Sequence, residues 1–268
     1  MFGSMATYTH GHHESVLRSH RWRTADNSAA YLLPHLSAGD ALLDVGCGPG
    51  TLTADLASRV ASVLALEQTE SALDLARAEI ERRGSTNVTF ASGDVHRLDL
   101  PDDRFDVVHA HQVLQHVADP VLALREMARV CRPGGLVAVR ESDYQAFTWF
   151  PESAGLTRWM ELYQAAAKAN GGEPQAGRRL LSWAHEAGLD DVRAGSSTWC
   201  FATPADRQWW GGMWADRIQQ SALATQLLDT GLATAADLDL VRGAWLDFAA
   251  DDSSWLSLLH GEILVRVP

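Results

Sequence analysis

Along the first half of the chain, apolar residues come in two alternating rhythms. Short apolar runs of four to six residues occur at 41–45, 63–66, 87–92, 105–110 and 136–140. Each is too short for a buried helix and the first ends in glycines, so each reads as a buried strand. Between them the apolar spacing becomes helical, at 51–58, 71–83 and 120–130. Gly84 lies just past the second of these helices and Pro133-Gly134-Gly135 just past the third, as helix stops. A further helical segment is expected at 24–36, closed by Pro34, after a polar, His-rich stretch at 6–23.

Strands and helices alternating through short connections predict a parallel sheet covered on both faces, with ligands at the carboxyl ends of the strands. The second half reads differently. Nine of the ten tryptophans follow residue 148. Residues 143–178 and 204–255 look like helical insertions, separated by a helix at 179–187 and a strand at 192–201, and 258–267 reads as a closing strand. The expected layout is an N-terminal lid and helix (1–36), a core (37–142), an insertion (143–178), a core helix and strand (179–203), a helical cap (204–255) and the closing strand (256–268). Met1-Phe-Gly-Ser-Met5 resembles a cloning junction and is set aside.

Chemistry concentrates where the first strand meets its helix, in Asp44-Val-Gly46-Cys-Gly48-Pro-Gly50-Thr51. Glycines there let a backbone approach a ligand closely. The Gly-x-Gly-x-Gly spacing is not that of dinucleotide sites. A carboxylate before the first glycine opposes a pyrophosphate and suits a cation. Glu67, at the end of the second strand, can take both hydroxyls of a ribose, and Asp94, at the end of the third, an adenine amino group. Three acids at three successive strand ends point to a cation-bearing nucleoside.

Composition narrows the partners. Lys+Arg number 22 against 34 Asp+Glu, a net charge of −12, and Lys168 is the single lysine. An acidic chain without a basic cluster is not expected to bind nucleic acid. Cys47, Cys131 and Cys200 are few and far apart, so neither a disulfide framework nor a structural zinc site is expected. With neither a signal peptide nor a membrane span in view, a cytoplasmic monomer or homodimer is expected.

These residues resemble class I S-adenosylmethionine-dependent methyltransferases, particularly the small-molecule group that includes the ubiquinone/menaquinone-biosynthesis type. Leu43-Asp-Val-Gly-Cys-Gly-Pro-Gly-Thr51 is similar to the family's first motif. Phe105-Asp-Val-Val-His-Ala-His-Gln-Val-Leu-Gln-His-Val117 is similar to its fourth-strand motif, and Leu124-Arg-Glu-Met-Ala-Arg-Val-Cys-Arg-Pro-Gly-Gly135 to the helix and turn before the fifth. The resemblance spans residues 40–141. It implies a Rossmann-like α/β fold: a seven-stranded, mostly parallel sheet with one antiparallel strand, the closing strand lying beside the fifth, and helical insertions as a cap. It implies S-adenosylmethionine as cofactor and S-adenosylhomocysteine as product. Asp44, Gly46, Cys47, Gly48, Pro49, Gly50 and Thr51 would hold the methionine part, Glu67 with Gln68 the ribose, and Gly93, Asp94 and Val95 the adenine.

Transfer to a hydroxyl needs a proton acceptor, a role that suits histidine. His111 and Gln112 fall at the expected sulfonium position, and His116 on the turn beyond. His111 and His116 are the candidate bases, and His109 a buried neighbour of His111. Tyr8 and Arg23 are expected on the cofactor from the N-terminal side. His10, His12 and His13 are read as part of a lid or solvated arm, with no metal site expected. Trp149, Trp159, Trp199, Trp209, Trp210 and Trp214 form either a cap core or the wall of an aromatic acceptor pocket, with Phe147 and Met213 suited to that wall. Glu152, Glu161, Glu173, Asp206 and Asp216 either favour a cationic acceptor or are solvated. The acceptor is a small molecule with an O, N or C nucleophile. The alternatives are a cofactor-binding protein without turnover and a nicotinamide-dependent oxidoreductase.

Overall fold

The computed structural model describes residues 14–268. The expected alternation is present: β1 (Ala41–Val45), α3 (Thr51–Ala57), β2 (Ser62–Glu67), α4 (Glu70–Arg83), β3 (Val88–Ser92), β4 (Phe105–His111), α5 (Pro120–Val130) and β5 (Cys131–Ser142), preceded by α1 (Glu14–Arg21) and α2 (Ala25–Ser28). Local chemistry sets the helix ends. Thr69 caps α4 by accepting from the Ala72 amide, and Gly84 closes it in the left-handed conformation. Asp119 caps α5, with Pro120 in the first turn, where a missing amide does no harm.

The segment 24–36 is not one helix. A capping box between Thr24 and Asn27 starts α2, which ends after one turn, and a 3-10 turn at Leu33–His35 forms around Pro34. A second departure lies in 143–178: before α6 (Ala154–Ala169) and α7 (Ala176–Glu186) comes a three-residue strand, β6 (Thr148–Phe150). Its alternation is too short to announce a strand. The chain then runs through β7 (Val192–Phe201), α8 (Pro204–Gln220), α9 (Ala222–Asp229), α10 (Ala235–Ala250) and β8 (Trp255–Arg266).

The sheet order is β3-β2-β1-β4-β5-β8-β6, with β7 on the other side of β8. β1 through β5 pair in parallel. β8 pairs antiparallel with β5, β6 and β7, so it is the one reversed strand. The seven expected strands are there, β8 lies beside β5 as expected, and β6 is an eighth that continues past the end of β5.

Period-two alternation sorts the sheet into two cores. Leu43, Leu64, Val108 and Val137 face α5 and α7. Leu42, Val63, Val107 and Ala138 face α2 and α3. On this second face the strands change character at their carboxyl ends: register brings Asp44 beside His109, and His111 beside Arg140, all buried. A third core is the cap, centred on Trp159 with Trp214 and Trp245, at ring-centroid distances of 4.8 and 4.9 Å and edge-on.

Candidate active site

A cavity of about 550 Å³ lies where the polar strand ends meet the cap. Its cofactor-side floor is the glycine loop. Gly46 and Gly48 have φ of +67° and +54°, a region that side chains rarely adopt. The Gly46 and Cys47 amides donate to the Leu66 carbonyl at 2.8 and 3.1 Å, tying the loop to β2. Glu67 accepts from the Gly48 amide and, through its other oxygen, from the Gln68 amide, both at 2.9 Å. Asp44, nearly fully buried, accepts from the Thr53 hydroxyl at 2.6 Å and from Nδ1 of His109 at 2.8 Å. His109 is thus a buried brace for Asp44. Asp94 accepts from the His96 amide and lies 2.7 Å from its ring. Partial burial raises its pKa, but the His96 contacts outweigh that and hold it below the ordinary value.

Asp44, Gly46, Cys47, Gly48, Pro49 and Thr51 line the cavity together with Glu67, Gln68, Gly93, Asp94 and Val95. Gly50 does not. Its φ is +80°, and a Cβ there would meet the Ala76 backbone at 3.0 Å, so this glycine lets α3 pack against α4. Cys47 is buried, and burial beside Asp44 and Glu67 keeps its thiol protonated. Tyr8, with His10, His12 and His13, lies outside the described residues.

The N-terminal side contributes more than Arg23. Ser19 and His20 of α1 also line the cavity, and the His20 carbonyl accepts from the Thr51 hydroxyl at 3.0 Å. Arg23 donates to Oε1 of Gln112 at 2.6 Å. Gln112 has φ +56°, an uncommon backbone for a residue other than glycine.

The opposite half of the cavity is built from rings: Tyr144, Phe147, Trp199, Trp210 and Trp214 line it with Leu258. Both readings of the tryptophans therefore hold in part. Trp199, Trp210 and Trp214 are wall, while Trp159 is cap core. Met213 packs in the cap and is not among the lining residues. The cap acids do not line the cavity either. Glu161 pairs with Arg158, Glu173 with Arg179, Asp216 with Arg18, and Asp206 accepts from the Thr203 amide in the capping box of α8. That removes the basis for expecting a cationic acceptor.

His111 sits where the halves meet, almost fully buried, and neither ring nitrogen has a hydrogen-bond partner among the described residues. Burial first, then the nearby guanidinium groups of Arg23 and Arg140, push its pKa well below 6.5. His116 also lines the cavity, but its Nε2 lies 3.1 Å from the Gln115 side-chain amide, and burial with Arg23 nearby lowers its pKa to about 4. His260 of β8, which sequence reasoning missed, completes the wall. Its signal was the first polar side chain of the closing run, which also carries Glu262 and Arg266. Glu141 braces the site from below, accepting from the Val113 and Leu114 amides at 2.8 and 2.7 Å. Among the described residues there is no group of three or more metal-ligating side chains.

A family model described as a methyltransferase domain matches residues 36–193, more than half of the chain. An uncharacterized methyltransferase of Schizosaccharomyces pombe is 32% identical, over 97% of this chain and 96% of its own length. A protein of Aspergillus luteorubrus described as a probable methyltransferase is 28% identical, over 98% of each chain. The crystal structure of the YcgJ protein from Bacillus subtilis superposes with a TM-score of 0.58 at 19% identity, covering 89% of this chain and 97% of that one, a likeness of fold. The chain belongs to the methyltransferase-domain family and is a class I S-adenosylmethionine-dependent methyltransferase. The nicotinamide reading falls away. The residues fit the cofactor: a left-handed glycine loop and three strand-end carboxylates line one end of a cavity whose other end is built from rings.

Proposed function

We propose that the protein methylates a small planar acceptor bound among Tyr144, Phe147, Trp199 and Trp210, with His111 taking the acceptor's proton. The observation that carries this reading is His111: a buried, neutral imidazole with unpartnered nitrogens between the glycine-loop half and the ring half of one cavity.

When bound, S-adenosylmethionine supplies a methyl group on a positively charged sulfur that leaves as a neutral thioether. The protein's work is alignment and proton removal. Asp44 would hold the amino group, Glu67 the ribose hydroxyls and Asp94 the adenine edge, with the Gly46–Gly48 backbone against the methionine part. His111 would take the O–H or N–H proton of the acceptor as the methyl group is transferred, and its imidazole would then carry the positive charge that the cofactor gives up. His116 has its Nε2 engaged by the Gln115 side chain.

Among the described residues no helix is long and apolar enough to cross a membrane. The three cysteines are free, two of them buried, which supports work in a reducing compartment such as the cytoplasm.

The test is transfer of a labelled methyl group from S-adenosylmethionine to a panel of phenols and aryl amines, by wild type and His111→Asn. Transfer by the first and its near loss in the second supports the reading. Cofactor binding without transfer to any member would favour a binding protein without turnover.

A further inference from the structure

We propose that Nε2 of His260 recognises the acceptor by taking a hydrogen bond from an O–H or N–H group on it, in a place that the Gln112 side chain fills in the free protein. This rests on the methyl-transfer reading above and names the kind of acceptor it takes.

The tautomer of His260 follows from its neighbours. Nδ1 lies 3.0 Å from the Leu258 carbonyl, which can only accept, so Nδ1 carries the hydrogen. The ring is fully buried, and burial together with Arg140 and Arg23 keeps it neutral. Nε2 therefore presents a lone pair. The orientation of Gln112 follows in the same way. Its Oε1 meets an Arg23 guanidinium nitrogen at 2.6 Å, and guanidinium can only donate. Its NH₂ group therefore faces His260, with Nε2 to Nε2 at 2.9 Å.

The group resting on His260 is thus a neutral N–H donor, and it belongs to a side chain that lines the cavity from a left-handed backbone position. Such a donor marks what the lone pair accepts. Around it stand Trp199, with its ring centroid 4.4 Å from that of His260, and Phe147 at 6.5 Å. A flat molecule among these rings satisfies His260 with a hydroxyl or an N–H. An ether oxygen or a phenolate there would set lone pair against lone pair, leaving a buried polar atom unpaired. The group that meets His260 therefore enters neutral and protonated.

The test uses the full chain saturated with S-adenosylhomocysteine and three probes in calorimetric titration: 2-naphthol, indole and 2-methoxynaphthalene. The two protic probes should bind at least about tenfold more tightly than the methyl ether. His260→Phe should bring that ratio to within about twofold, while His260→Gln, whose side-chain oxygen accepts near the same place, should restore most of it. Gln112→Ala should raise affinity for the protic probes several-fold, because the competing internal donor is gone. A His260 of purely structural importance would not give opposite signs in the two positions. Equal affinity for naphthol and its ether, no binding of either protic probe, or weaker protic binding in Gln112→Ala would overturn the proposal. If S-adenosylhomocysteine itself fails to bind, the methyl-transfer reading fails with it. Normal S-adenosylhomocysteine binding without protic preference removes only the role of His260.

Discussion

The two halves of the cavity are made of different material. The cofactor half is backbone and carboxylate: a glycine loop pinned to β2 by amide hydrogen bonds, with Glu67 bonded to two further amides. The acceptor half is side-chain rings from the turn after β5, from β7 and from α8. Backbone geometry leaves little freedom to change, whereas rings can be exchanged for others of similar volume. The fold thus separates a half that a shared cofactor dictates from a half that each acceptor can reshape.

The sharpest break in this comparison lies at the seam. His111→Asn should lower turnover by roughly 10²–10⁴-fold, the usual worth of a positioned proton acceptor, and leave cofactor affinity within about twofold. Steady-state rates and a cofactor titration check both, and an unchanged rate returns His111 to packing. Next is the ring wall. Trp210 is almost fully buried and stacked on Phe201 at 4.3 Å, so Trp210→Ala should cost about 3–5 kcal/mol of stability by urea unfolding. The surviving folded fraction should still bind cofactor normally, and a matching loss of cofactor affinity would show that the halves are not separate. Glu67→Ala should weaken cofactor binding by about 1–3 kcal/mol in calorimetry, since the ligand contact and the loop's anchor go together. Unchanged affinity would sink its assignment.

The halves should also respond to pH differently. His111 and His260 lie well below 6.5 and His116 near 4, so folding favours their neutral forms. Their contribution to stability is complete above pH 6.5 and is lost as pH falls toward the folded-state values. Asp94, held below 3.8, keeps its contribution until pH drops under 3.8. Burial raises the Glu141 pKa to about 8, so its contribution grows as pH falls and opposes theirs. The check is therefore the difference between proteins: between pH 7.5 and 4.5 the urea midpoint of His260→Gln should lose ground less steeply than that of wild type. Identical slopes would remove His260 from the account.

Much of the cofactor half was legible because its signals are local. The glycine spacing is one unbroken stretch, each acid lies within two residues of the end of its own apolar run, and those runs read as buried strands. Gly50 belonged to the same motif, yet it serves the approach of α4, which only the packing of Ala76 reveals. The acceptor half was less legible because its parts are far apart. Tyr144, Trp210 and His260 meet only through the sheet order and the cap. The break within 24–36 was missed because the helical spacing outweighed two local devices, the Thr24 box and Pro34. β6 was missed because three residues carry no period.

β8 comes after every other element in the chain, yet it is the common neighbour of β5, β6 and β7. More than a hundred residues lie between the end of β5 and its partner. At about 5–20 residues per second, synthesis of that stretch takes on the order of 5–20 s, during which β5 waits with one edge open. The nascent chain is therefore able to assemble the glycine-loop half first, while the acceptor half must await residues 255–266. In a cell, this enzyme should pass through a stage that holds the nucleoside before it has anywhere to put the molecule to be methylated.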